Sequence, residues 1–64
     1  MKYPNIRVEL VEEDRNAFGI LARVRRALRE AGVSEEEADQ YWEQATAGTY
    51  DDLLRVTMEW VDVT

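Results

Sequence analysis

Between Asn5 and Val11 the apolar residues Ile6, Val8 and Leu10 alternate with the charged Arg7 and Glu9. A period of two with β-branched members predicts a half-buried strand over about 5–11. Pro4, just before it, lacks an N–H and suits the start of a strand at a sheet edge. The pattern then changes. Ala17, Ile20, Leu21, Val24, Ala27, Leu28 and Ala31 recur at helical spacing and fall within an arc of about 120°. A helix over about 15–31 follows, with the acidic Glu12-Glu13-Asp14 turn at its positive end and Asp14 or Asn16 as its N-cap. Gly32 is placed to be the left-handed residue after it, and Val33 to make the apolar contact that accompanies such a stop.

Ser34 followed by Glu37 reads as a capping box opening a second helix over about 35–47, with Ala38, Tyr41, Trp42 and Ala45 on one face and Gly48 closing it. Thr49, with Asp52 three residues on, opens a third over about 50–58 that carries Tyr50, Leu53, Leu54 and Thr57. The stretch from Thr57 to Val63 mixes helical and alternating signals, and is read as helix to Met58 and a short strand over about 59–63. The order β-α-α-α-β implies one α+β domain over residues 1–64, with two terminal strands and helices on one face. A chain this short buries only about 60% of its unfolded surface. A lone core of this size supplies roughly 3–5 kcal/mol, so completion by homo-oligomerisation is expected.

Composition removes several kinds of chemistry. With no Cys and no His there is no disulfide, no catalytic thiol, no imidazole acid or base, and no thiolate or imidazole metal site. No apolar run is long enough to span a membrane, and the N-terminal residues lack the apolar core of a signal peptide, so a cytoplasmic location is expected. A net charge of −6 argues against general nucleic-acid binding. No cofactor is implied. An enzyme is not expected, since the remaining carboxylates have no cleft to serve.

Charge is segregated along the chain. Residues 15–29 carry +5 with no acid, and residues 30–52 carry −8 with no base. Within the basic run, Arg25, Arg26 and Arg29 lie together opposite the apolar arc, and Phe18 falls between Arg25 and Arg29 in angle. Guanidinium forks beside an aromatic ring are what a phosphate-bearing, base-bearing ligand needs, with Tyr50 as a second stacking ring and Asn16 as an added polar contact. The same arginines can instead pair with Glu30 and with the acidic second helix, and Asn16 can be a cap and nothing more. Glu35, Glu36, Glu37, Asp39 and Glu43 offer a surface for a basic protein or a mimic of nucleic-acid phosphates; equally, they form a solvated helix start. Tyr41, Trp42, Tyr50 and Trp60 are a heavy aromatic load for so small a core. Such residues are most often the core itself, but some, Tyr41, Trp42 and Trp60 first, are expected at a subunit interface, and a Tyr or Trp stacking a base is not separated from these by sequence.

The strings NAFGIL at 16–21, ALREAGV at 27–33, GTYDDLL at 48–54 and MEWVDV at 58–63, in this order and spacing, resemble a family of short bacteriophage and mobile-element proteins. The resemblance covers nearly the whole chain from Asn5 and implies the same β-α-α-α-β organisation. It carries no activity that can be transferred to individual residues. It implies an accessory or counter-defence factor that works by stoichiometric binding. The expectation is therefore a non-catalytic protein that sequesters a small anionic, nucleotide-like ligand at a subunit junction. The alternative is an acidic inhibitor or nucleic-acid mimic directed at a host protein.

Overall fold

The computed structural model describes residues 1–10 and 16–64. Strand β1 (Tyr3–Val8) is followed by helices α1 (Ala17–Glu30), α2 (Glu35–Ala45) and α3 (Tyr50–Trp60), and by strand β2 (Val61–Val63). The fold is α+β, and its two strands pair in parallel to form a two-stranded sheet with the helices packed against it. Parallel neighbours require a long crossover, and here the three helices together are that crossover.

The ladder is irregular. Tyr3 pairs with Val61, yet the next partners are Arg7 with Asp62 and Val8 with Val63, so residues 4–6 bulge out of register. Pro4, which has no N–H to offer, sits in that bulge. The pairing begins earlier than the alternation suggested because the Lys2 N–H donates to the Glu59 carbonyl at 2.7 Å. Beyond β1 it continues through Thr64 N–H to Val8 O and Leu10 N–H to Thr64 O. Val11 and the acidic turn through Asp14 lie outside the described residues.

The helices end where their capping chemistry ends them. Asn16 is the N-cap of α1, its Oδ1 accepting from Gly19 N–H at 2.8 Å. At the other end Gly32 has φ +86°, its N–H donates to Arg29 O, and Val33 N–H donates to Leu28 O at 2.9 Å. Those two bonds make a Schellman motif, and Val33 packs on the core as the motif requires. Ser34 Oγ accepts from Glu37 N–H, whereas the Glu37 carboxylate lies 3.7 Å from Lys2 Nζ. The two-way box forms at Thr49 and Asp52. Helix α2 stops at Ala45 rather than 47: Thr46 N–H makes the last bond, to Trp42 O, the Thr46 hydroxyl shares that carbonyl, and Ala47 N–H turns instead to Gln44 O at 3.4 Å. Gly48 does other work: a Cβ there would collide with the Asp52 carboxylate that closes the box.

Helix α3 runs to Trp60, past the expected stop at Met58. Leu53, Val56, Thr57 and Trp60 are all buried, an i, i+3, i+4, i+7 stripe that keeps Trp60 in the helical core. Only Val61–Val63 remains as strand. The core is built from Ile20, Leu21, Val24 and Leu28 of α1, Ala38, Tyr41 and Ala45 of α2, the α3 stripe, and Val8 and Val61 of the sheet.

Candidate functional site

The basic run of α1 divides between two faces of the molecule. Arg25 and Arg29, one turn apart, face α2. Arg29 Nε donates to Glu35 Oε1 at 2.7 Å, and Arg25 Nη2 reaches Glu35 at 3.5 Å and Asp39 at 3.3 Å. Hydrogen bonding from Arg29 holds the Glu35 carboxyl below the usual carboxylate range, and the same bond raises the Arg29 guanidinium. Arg26 points elsewhere and pairs with Glu30 in its own helix at 2.9 Å. The three arginines therefore do not form one cluster. Each takes the acidic partner that the charge segregation made available.

The aromatic candidates divide as well. Tyr41 and Trp60, expected at a subunit interface, lie in the core of the single subunit and have no surface to offer a partner. Their rings meet edge to face with centroids 5.7 Å apart, and Trp60 Nε1 donates to Gln44 Oε1 at 3.0 Å. Lys2 Nζ lies 4.3 Å from the Trp60 ring centroid, and Tyr3 packs 6.0 Å away. This aromatic cluster closes the sheet end of the core; burial within one chain explains it fully.

Phe18, Trp42 and Tyr50 behave differently. They come from α1, α2 and α3 and line one groove of about 310 Å³, whose floor includes Leu21, Ala45 and Leu53. Phe18 is 77% exposed and Tyr50 43%. None of the described residues that line the groove is charged. At its Trp42 side the Arg25 guanidinium lies over the indole at 5.4 Å, within cation–π range. The Nε of Arg25 is buried and has no hydrogen-bond partner among the described residues. Of the six ligand candidates, Phe18, Tyr50 and Arg25 meet around this groove. Arg29 and Arg26 do not reach it, and the Asn16 side chain is engaged in capping α1.

Trp42 completes the groove, although the sequence did not separate a stacking role for it from a place in the core or at an interface. The spacing held part of the signal, since Trp42 and Ala45 are one turn apart and Phe18 lies one turn before Leu21, at the rim of the apolar arc. Which helices would meet there was not readable. Among the described residues no group of three or more carboxylates is placed to hold a metal ion, and no helix is long and apolar enough to cross a membrane. No family model, curated protein or solved structure matches the chain.

Proposed function

We propose that this chain is a non-catalytic binding protein that sequesters a small anionic ligand with a flat ring, nucleotide-like in its chemistry. The convergence of Phe18, Trp42 and Tyr50 on one uncharged groove, with Arg25 laid over Trp42, carries this reading. Base–aromatic stacking contributes about 1–3 kcal/mol per base and tolerates any base. The anionic group falls to Arg25 and not to Arg29. Charge-assisted hydrogen bonds are short, about 2.7–2.9 Å. Arg29 holds Glu35 within that range, while the contacts of Arg25 at 3.3 and 3.5 Å are long. Surface ion pairs contribute roughly 0–1 kcal/mol, so Arg25 can exchange a carboxylate for a ligand phosphate at small cost. Stoichiometric capture of this kind fits the counter-defence setting implied by the resemblance to bacteriophage proteins.

Native mass spectrometry with a panel of cyclic and linear nucleotides tests the proposal. The expected result is a stoichiometric mass gain, with the nucleotide released unchanged on denaturation. Arg25→Ala and Tyr50→Ala are each expected to weaken binding at least tenfold. Unchanged affinity in both variants removes the groove as the site, and a panel ignored entirely overturns the reading.

A protein partner held by the acidic helix is the second reading. Glu36 and Glu43 are exposed and make no ion pair among the described residues, whereas Asp39 is engaged by Arg25. Glu36→Lys combined with Glu43→Lys abolishes partner capture if that reading holds.

A further inference from the structure

Arg25 does not bring a free charge to the Trp42 side of the groove. Its Nη2 donates to Asp39 Oδ1 at 3.3 Å and to Glu35 Oε2 at 3.5 Å. The two carboxylates are not equivalent. Glu35 is also held by Arg29 at 2.7 Å, so it keeps a partner when Arg25 lets go. Asp39 has Arg25 as its one ion-pair partner among the described residues, and its side chain is 65% exposed. An arriving anion therefore displaces Glu35 and shares Arg25 with Asp39. A charge-assisted bond to a phosphate oxygen spans about 2.8 Å, so an oxygen held by the same Nη2 is at most about 6 Å from the Asp39 carboxylate. One turn along α2 from Asp39 stands Glu43, exposed and making no ion pair among the described residues.

From this we infer that the ligand is a cyclic nucleotide, a phosphodiester with a single negative charge, and that Asp39 is the residue that rejects nucleotides carrying more. The inference rests on the groove of Phe18, Trp42 and Tyr50 being the ligand site. Charge sets the limit. Arg25 and Arg29 are already balanced by Glu35 and Asp39, and Arg26 is committed to Glu30 on another face, so none of these cations is in surplus to meet a second ligand charge. At a surface dielectric, an unmatched charge that close to a carboxylate is opposed by roughly tenfold in affinity. Oxygen count agrees. A diester leaves two free oxygens, to which one guanidinium fork donates as a pair. A terminal phosphate adds a third oxygen and a second charge beside Asp39. Size narrows the class. About 310 Å³ is at the lower end of small-molecule sites, roughly 300–1,000 Å³, and suits one base with its sugar rather than two. A polymer of diesters is opposed by the net charge of −6.

Isothermal titration calorimetry of the full chain tests the inference, without divalent cations, which would mask the extra charges. The probes are adenosine, its 3′,5′-cyclic monophosphate, its 5′-monophosphate and its triphosphate, with the guanosine series alongside. The cyclic form should bind at least tenfold tighter than either the triphosphate or the uncharged nucleoside, with the 5′-monophosphate between. Asp39→Asn should narrow the gap between cyclic form and triphosphate at least fivefold, and Asp39→Glu should keep it. Both variants should retain native far-UV circular dichroism, since the side chain is exposed. A triphosphate that binds as tightly as the cyclic form, or a gap that Asp39→Asn leaves unchanged, overturns the inference while the groove keeps its ligand. If no form binds, the reading of the groove falls and the inference with it.

Discussion

The buried pair Tyr41–Thr57 allows a prediction of sign as well as size. The two hydroxyls lie 2.7 Å apart, and Thr57 Oγ1 also lies 2.8 Å from the Leu53 carbonyl oxygen. A carbonyl only accepts, so the Thr57 proton goes to Leu53 and Tyr41 must donate to Thr57 Oγ1. Burial pushes the Tyr41 phenol above its usual range, which keeps it the neutral donor this arrangement needs. Tyr41→Phe removes the donor but leaves the Thr57 proton satisfied, a loss of about 0.5–1.5 kcal/mol. Thr57→Val removes the acceptor and strands a buried phenolic proton, about 1–3 kcal/mol. Replacing both partners by apolar groups of matching shape is close to neutral. Tyr41→Phe should therefore destabilise the native chain and stabilise the Thr57→Val variant. Urea unfolding followed by tryptophan fluorescence reads this directly, because the Trp60 ring lies against Tyr41. Equal destabilisation by Tyr41→Phe in both backgrounds would refute the donor assignment.

Three other perturbations are set by the caps and the surface ion pairs. Gly32→Ala should cost about 1–2 kcal/mol from backbone conformation alone, since φ is +86° and a Cβ there meets nothing within 4 Å; a urea midpoint equal to that of the native chain would contradict this. Gly48→Ala drives a methyl group into the Asp52 carboxylate and should remove the α3 capping box, costing about 0.5–2 kcal/mol. Adding Asp52→Ala to that variant should then change the midpoint little. Glu35 and Asp52 both titrate below the usual carboxylate range, Glu35 mainly through the Arg29 hydrogen bond and Asp52 mainly through the Thr49 N–H. As pH falls the unfolded chain takes up these protons first. The stabilising contribution is thus complete above about pH 4.3 for Glu35 and 3.9 for Asp52, and is lost as pH falls through the lower folded values. Glu35→Gln with Asp52→Asn should flatten the acid limb of stability against pH, and an unchanged limb would reject the assignment.

The elements were legible wherever local chemistry fixes them. Asn16, the Gly32–Val33 stop, Ser34 and Thr49 mark helix ends through side chains and φ angles that act within a few residues, and each ends its helix where the sequence suggested, although the Glu37 half of the box expected at Ser34 goes to Lys2 instead. What failed was local pattern in conflict with tertiary burial. Met58, Trp60 and Asp62 alternate like a strand, but Trp60 is worth more to the core as the last residue of α3, packed on Tyr3 and Tyr41. The early start of β1 was illegible for a related reason, since it depends on backbone bonds to residues 59–61 at the far end of the chain. The site was legible as residue types and not as a place. Phe18, Tyr50 and Arg25 were visible, but the partition of Arg25 from Arg26 follows from where α2 packs, which no single helix encodes.

That partition changes what the charge segregation means. A basic helix beside an acidic one looks, in sequence, like two surfaces awaiting two partners. In the fold the two are neighbours, and Glu35 and Asp39 engage Arg25 and Arg29 across the α1–α2 contact. Surface pairs of this kind add little stability, but opposite charges on facing helices favour one packing of α1 on α2 over others. Part of the charge segregation, the pairing of Arg25 and Arg29 with Glu35 and Asp39, is thereby accounted for within the subunit. What the pairing does not touch is a face bearing Phe18 and Met58, large apolar side chains 77% and 56% exposed on a chain with few to spare for its core. Left in water, they add little burial energy to a small fold. The ligand proposal is tested first on that face, at whose Trp42 side the Arg25 guanidinium lies.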